Sequence, residues 1–168
     1  MNQNKIDSIM FTVANSIAEF SEDESTKTAS VIALDSLIVS TGYNGLPRGV
    51  ECTAARCLRP DKYMYFEHGE RNAIYNAARV GASLENCTLY VLGVPCADCM
   101  RAIIQSGILE VVISSYASTP VRWMKSCSAG LEMAQDAGVC VRLSHEFKEM
   151  AGEIIKFFDQ ELQKEPTA

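Results

Sequence analysis

Apolar residues recur every three or four positions over the first twenty residues, the spacing that faces one side of an α-helix to a core. The same spacing returns in four later segments. We predict helices over about 4–20, 67–80, 96–106, 121–137 and 147–163. Short apolar runs between them predict five strands, over 29–34, 37–41, 88–92, 110–114 and 139–143.

This element order predicts one α/β domain spanning 1–168, with its core at about 20–143. Strands that alternate with helices favour a mostly parallel sheet that is covered on both faces. The first two strands are separated only by Asp35-Ser36, which predicts an antiparallel hairpin. We therefore expect a three-layer α/β/α fold around a mixed five-stranded sheet.

Composition excludes some classes of protein but does not identify the function. Of the 168 residues, 48% are hydrophobic and 21% are charged, which is typical of a folded domain and excludes a disordered chain. The net charge of −6 disfavours nucleic-acid binding, because an acidic surface repels a phosphate backbone. A small anionic substrate stays compatible with this charge if a few cations are placed locally.

The seven cysteines suggest metal binding or catalysis. No cationic, apolar leader begins the sequence, and no apolar run approaches membrane-spanning length, so we expect a cytoplasmic protein with reduced thiols and no membrane contact. In such a compartment, closely spaced cysteines favour metal sites over disulfides. For Cys52 and Cys57, we favour two free thiols over a second metal site.

Two short segments carry the candidate chemistry. His68-Gly69-Glu70 and Pro95-Cys96-Ala97-Asp98-Cys99 each lie at or near the start of a predicted helix. One imidazole and two thiolates are ligands that zinc prefers, and three protein ligands leave a fourth position open, as in catalytic zinc sites. Glu70 can then reach a water at the metal without being a ligand.

Two alternatives remain at this point. His68, Cys96 and Cys99 could be ordinary core residues, or they could form a structural zinc site. A structural site would need a fourth protein ligand, for which Cys87 and Cys127 are candidates.

Longer motifs around these residues resemble a known family. Residues 68–74 read HGERNAI, 42–49 read GYNGLPRG, 95–99 read PCADC and 103–108 read IIQSGI. They are similar to the H-A-E-x-N-A-I, G-Y-N-G-x-P-x-G, P-C-x-x-C and I-x-Q-x-G-I elements of deoxycytidylate (dCMP) deaminases. The order H-x-E then P-C-x-x-C is the zinc deaminase signature.

The resemblance implies the cytidine deaminase-like fold and a set of residue roles. His68, Cys96 and Cys99 would bind zinc, and Glu70 would carry protons. Asn44 would reach the sugar, and Tyr116 would lie near the sugar and phosphate. The substrate-binding residues are expected to be Asn44, Gly45, Tyr116, Lys27 and Arg48.

The implied reaction is zinc-dependent hydrolytic deamination of dCMP to dUMP with release of ammonia. Alternatives are a deaminase of CMP, cytidine or 5-substituted dCMP, a nucleic-acid editing deaminase, or a non-catalytic zinc-binding relative. The intact Glu70 argues against the last, and the acidic charge argues against an editor. The resemblance also implies a homo-oligomer, with a dCTP or dTTP effector site near residues 42–49.

A phosphate on the substrate would need a cationic partner. The candidates in the sequence are Lys27, Arg48, Arg71, Arg101 and Arg122. Tyr63, Tyr65 and Phe66 precede the first metal-binding segment, and they could either form an aromatic wall for the base or pack beneath a loop.

Overall fold

The computed structural model describes residues 2–145 and 150–164. Seven helices and five strands follow one another in the described chain. In order, they are α1 (Gln3–Ala18), β1 (Ala29–Leu34), β2 (Leu37–Tyr43), α2 (Ala54–Cys57), α3 (Lys62–Tyr65), α4 (Gly69–Val80), β3 (Thr88–Val91), α5 (Ala97–Gln105), β4 (Glu110–Ile113), α6 (Val121–Ala137), β5 (Cys140–Leu143) and α7 (Ala151–Lys164).

The strands form one mixed sheet in the order β2-β1-β3-β4-β5. β1 is antiparallel to both β2 and β3, whereas β3, β4 and β5 are parallel neighbours. Strands β2, β3, β4 and β5 are connected through helices, and all four run in the same direction. The alternation of strands and helices in the sequence predicts this. The feature beyond the prediction is that β1 lies between β2 and β3, which gives a second antiparallel pair.

Helices cover both faces of this sheet. On one face, Met10 and Ala14 of α1 pack against Val31, Tyr90 and Val112. The other face carries the larger core, where α4, α5, α6 and α7 contribute buried side chains against β1, β3, β4 and β5. The three-layer α/β/α architecture is thus confirmed, and the two candidate metal-binding segments lie on the face with the larger core.

Two glycines let α4 approach the antiparallel strands closely. A Cβ on Gly42 would lie 2.2 Å from the backbone nitrogen of Ala73, so no larger residue fits there without a shift. A Cβ on Gly69 would lie 3.1 Å from the Cα of Ala29, which is tight. This close packing fixes the start of α4 against β1 and β2.

Most predicted helices and strands are confirmed within a few residues, but two segments differ. The stretch from 50 to 64 shows no clear period, and the structure places α2 and most of α3 there. Both helices have a single turn, which is too short to show a period. The predicted helix over 147–163 begins at Ala151, and residues 147–149 lie outside the described residues.

The expectation that Cys52 and Cys57 are two free thiols is wrong in this structure, because they form a disulfide. The single turn of α2 brings their Cα atoms to 5.9 Å, within the normal range for such a bond. Among the described residues, no helix has the length and apolar character needed to cross a membrane.

Candidate metal centre and its pocket

His68 lies directly before α4 and serves as its N-cap residue, with an extended backbone. Two backbone hydrogen bonds join Gly45 and Glu67, with N···O distances of 3.0 and 2.8 Å, and tie the 42–49 loop to the residue before His68. The ring of Trp123 meets the His68 ring edge-on at a centroid distance of 5.6 Å. The backbone hydrogen bonds of the preceding residue and the ring contact with Trp123 therefore both orient the imidazole.

Cys96 and Cys99 lie at the start of α5. Cys96 is the N-cap residue, and Cys99 lies in the first turn, so both thiols face the same side. Ser126 of α6 accepts a hydrogen bond from the backbone N–H of Ala97 at 3.1 Å, which fixes this turn. Cys99 is fully buried and Cys96 nearly so.

The three candidate ligands converge. The Nδ1 atom of His68 lies 3.6 Å from Sγ of Cys96 and 3.4 Å from Sγ of Cys99. All three donor atoms lie within 4.8 Å of one another. Tetrahedral zinc, with bonds of about 2.3 Å to sulfur and about 2.0–2.1 Å to nitrogen, requires an N···S separation of about 3.6 Å. The three residues are thus positioned to bind zinc.

The two thiols differ in their pKa values. A hydrogen bond from Cys99 lowers the pKa of the Cys96 thiol to about 4, against the opposing effect of burial. The hydrogen bond to Cys96 and burial raise the pKa of the Cys99 thiol. The hydrogen bond with Cys96 raises the pKa of His68, although burial opposes it. Cys96 is therefore the more acidic of the two thiols.

Glu70 lies in the first turn of α4, two residues after His68. Its side chain is only 6% exposed and lines the same pocket as His68 and Cys96. Burial raises the pKa of the Glu70 carboxyl above its usual value, and the charge on His68 opposes this only in part. Such a group can accept and release a proton closer to neutral pH than an exposed glutamate.

The pocket has a volume of about 320 Å³, at the lower end of the range for small-molecule sites. Tyr63, Phe66 and Trp123 supply an aromatic part of its wall. Of the three aromatic residues that precede α4 in the sequence, Tyr65 does not line this pocket, and the Arg56 guanidinium lies 5.8 Å from the centre of its ring.

A buried polar cluster forms another part of the wall. Lys62 Nζ lies 2.6 Å from Oδ2 of Asp23, and both side chains are almost completely buried. The Asn44 amide donates to Asp23 Oδ2 and to the carbonyl of Thr26, and its oxygen accepts from the backbone N–H of Thr28. The cluster fastens residues 21–28 to α3 and to the 42–49 loop.

The residues expected to bind substrate do not all reach this pocket. Asn44 and Lys27 line it. Arg48 instead donates a hydrogen bond to the side-chain oxygen of Asn76 and lines a second, smaller pocket. The ring of Tyr116 packs on Phe157 of α7 at a centroid distance of 5.3 Å, and Gly45 is buried where it bridges to Glu67.

Two of the arginines considered for phosphate binding are held elsewhere. Arg71 pairs with Glu67 and Asp98, and Arg101 pairs with Asp98, and neither lines the pocket. Arg122, in contrast, lines it.

Sequence reasoning missed several residues of the wall, among them Asp23, Arg59, Lys62 and Trp123. Asp23 and Lys62 are 39 positions apart, and no local pattern marks them as partners. Trp123 had a weak signal, since it is the single tryptophan of the chain and lies near the start of a predicted helix.

A zinc-binding deaminase is the class of protein that this fold and this ligand set define, and comparison with known proteins agrees. The sequence model described as "Cytidine and deoxycytidylate deaminase zinc-binding region" matches residues 4–115. The chain therefore belongs to the cytidine and deoxycytidylate deaminase family.

Individual relatives are consistent with this membership. The chain is 36% identical over 130 residues to a deaminase of Aliivibrio fischeri encoded in the luxG 3′ region, covering 77% of this chain and 86% of the relative. It is 36% identical over 105 residues to the mouse deoxycytidylate deaminase, covering 58% of each protein.

A solved structure is similar in fold. The dCMP deaminase from cyanophage S-TIM5, in complex with dCMP and dUMP, superposes with a TM-score of 0.69 over 85% of this chain and 98% of that one. At 22% sequence identity, this likeness supports the fold alone.

Proposed function

We propose that this chain catalyses the zinc-dependent hydrolytic deamination of dCMP to dUMP and ammonia. The observation that carries the proposal is the buried carboxyl of Glu70 in the pocket that also contains His68 and Cys96. A structural zinc site has no need of an acid–base group in an open pocket. Relatives named deoxycytidylate deaminase support dCMP over other cytosine compounds.

The metal would be held by His68, Cys96 and Cys99. When bound, zinc supplies Lewis acidity and lowers the pKa of a bound water toward neutrality. Glu70 would take the two protons of the attacking water, pass one to N3 of the cytosine ring and the other to the 4-amino group, which leaves as ammonia while the water oxygen becomes the 4-oxo group. The raised pKa of Glu70 suits both transfers, because burial makes the carboxyl easier to protonate than an exposed glutamate.

The rest of the pocket would orient the nucleotide. Tyr63, Phe66 and Trp123 offer flat apolar surfaces for the pyrimidine ring. Both amide hydrogens of Asn44 are already used within the protein, so a sugar hydroxyl would donate its hydrogen bond to the amide oxygen. Asn44 would therefore act as an acceptor toward the substrate.

A substrate panel tests this function. The zinc-loaded protein is incubated separately with dCMP, CMP, cytidine and dCTP, and ammonia and the uracil product are both measured. We expect the highest kcat/KM with dCMP. Equal kcat/KM for cytidine and dCMP would contradict the nucleotide-specific reaction, and no ammonia from any of the four would contradict cytosine deamination itself.

A further inference from the structure

Four lysine and arginine side chains border the pocket that contains Glu70, and two of them already pair with carboxylates. Lys62 forms the buried pair with Asp23 at 2.6 Å, and Lys27 pairs with Glu19 at 3.0 Å. A lysine that is held by a carboxylate contributes little net charge to an incoming anion. Lys27 and Lys62 therefore act mainly in contacts within the protein.

The other two, Arg59 and Arg122, have no carboxylate partner among residues 2–145 and 150–164. Arg59 donates one hydrogen bond to the hydroxyl of Ser25 at 3.3 Å. The Arg122 guanidinium lies 6.0 Å from the centre of the Tyr63 ring. Since a guanidinium has five N–H donors, both side chains keep most of theirs available.

Neighbouring contacts orient both arginines. The Ser25 hydroxyl that accepts from Arg59 also lies 2.6 Å from Nζ of Lys62, so the buried pair with Asp23 anchors the contact of Arg59. Arg122 precedes Trp123, whose ring contacts His68 at 5.6 Å and Tyr63 at 5.9 Å. The rings of Tyr63 and Trp123 thus link Arg122 to His68 along the wall of the pocket.

We propose that Arg59 and Arg122 bind the 5′-phosphate of the substrate and make the enzyme select nucleoside monophosphates over nucleosides. The inference rests on the proposed function, since it concerns the same pocket. Guanidinium groups match phosphate oxygens through paired, charge-assisted hydrogen bonds. In a chain with a net charge of −6, two uncompensated arginines are the local attraction that a phosphate dianion requires.

Binding of the reaction product tests the proposal without depending on catalysis. Calorimetric titration of zinc-loaded protein compares dUMP with deoxyuridine, which differ only in the phosphate. We expect the wild type to bind dUMP more tightly. Arg59→Ala and Arg122→Ala should each weaken dUMP binding by about 10- to 100-fold, the range for lost charge-assisted hydrogen bonds. Deoxyuridine binding should change by less than about threefold, within the range of exposed substitutions.

Two variants provide matched controls for charge. Arg56→Ala removes a guanidinium from the same segment as Arg59, and Lys125→Ala removes a cation one turn after Arg122 on α6. Neither Arg56 nor Lys125 lines the pocket. Each control lowers the net charge as much as the test variants do, so both should keep the wild-type preference for dUMP.

The outcomes separate this inference from the proposed reaction. Equal affinity of the wild type for dUMP and deoxyuridine, equal losses for both ligands in the arginine variants, or equal effects of the controls would each overturn the phosphate site. Selective loss of dUMP binding in a protein that releases no ammonia from dCMP would support the phosphate site and overturn the proposed reaction.

Discussion

Cys96 and Cys99 show how residues of one type acquire different properties from their positions. Cys96 caps α5 and accepts hydrogen bonds that lower its pKa to about 4, whereas Cys99 is fully buried and its pKa is raised. Zinc requires both sulfurs as thiolates, so metal binding must displace a proton from this pair. The other buried thiols, such as Cys87, lie in apolar surroundings, where burial raises the pKa.

We predict that Cys96 and Cys99, but not Cys87, are needed for zinc binding. Cys96→Ala and Cys99→Ala should each lower zinc affinity by more than about 100-fold, because changes beyond the ligands themselves already cost about 10- to 100-fold. Cys87→Ala removes an equally buried thiol from the same core and should keep its zinc. Zinc content after dialysis, measured by plasma mass spectrometry, decides the matter, and full zinc occupancy in Cys99→Ala would contradict the ligand assignment.

Among the structural elements, the short helix α3 shows how tertiary contacts shape the pocket. It carries Lys62 and Tyr63 into the wall, although a four-residue helix has little stability of its own. Its position is set by tertiary contacts, above all by the buried pair of Lys62 with Asp23. The buried ion pair is therefore expected to be a main contact that positions the pocket wall from 59 to 66.

We expect Lys62→Met to lower the free energy of unfolding by about 3–5 kcal/mol, because Asp23 would be left buried and unpaired. Lys27→Met breaks the exposed pair with Glu19 and should cost less than about 1 kcal/mol. Urea unfolding at neutral pH measures both. Equal effects of the two substitutions would show that the pair does not hold α3.

The effect of Lys62→Met should also depend on pH. Burial alone would raise the pKa of Asp23, but hydrogen bonds from Lys62 and Ser25 lower it in the wild type. The pair therefore stabilises the fold above the unfolded-state pKa of about 3.9, and this stabilisation is lost as pH falls through the lower folded-state value. The stability difference from Lys62→Met should shrink below about pH 4. A difference that stays constant from pH 7 to pH 3 would contradict this role.

At the scale of the whole molecule, a second buried ion pair joins the two ends of the fold. Arg142 of β5 donates to both carboxylate oxygens of Asp7 on α1, 135 residues earlier in the chain, at 2.6 and 3.1 Å. It also donates to Glu110 of β4 at 2.8 Å. These contacts fix α1 on its face of the sheet, opposite the face that carries the metal centre.

The sequence predicts what depends on local spacing. The period of apolar residues places α1 and α6 because a helix that faces one core must repeat that period. The metal ligands follow from two short motifs at helix starts. In contrast, the pairings Asp23–Lys62 and Asp7–Arg142, and the position of β1 between two parallel strands, join residues that are far apart in sequence. No local pattern encodes them, so Arg59 and Lys62 could not be assigned to the pocket beforehand.

The proposed deamination depends most on Glu70, and replacement by its isosteric amide tests this role directly. Glu70→Gln removes the transferable proton but leaves His68, Cys96 and Cys99 unchanged. Glu132→Gln, at an exposed position on α6, serves as the matched control and should retain wild-type turnover.

The decisive measurement is the rate at which each variant, loaded with about one zinc per chain, converts dCMP into dUMP and ammonia. We expect the wild type to form both products in equal amounts, and Glu70→Gln to keep its zinc and lose at least about 100-fold in kcat. A near-normal rate in zinc-loaded Glu70→Gln, or no dUMP from the zinc-loaded wild type, would contradict the account.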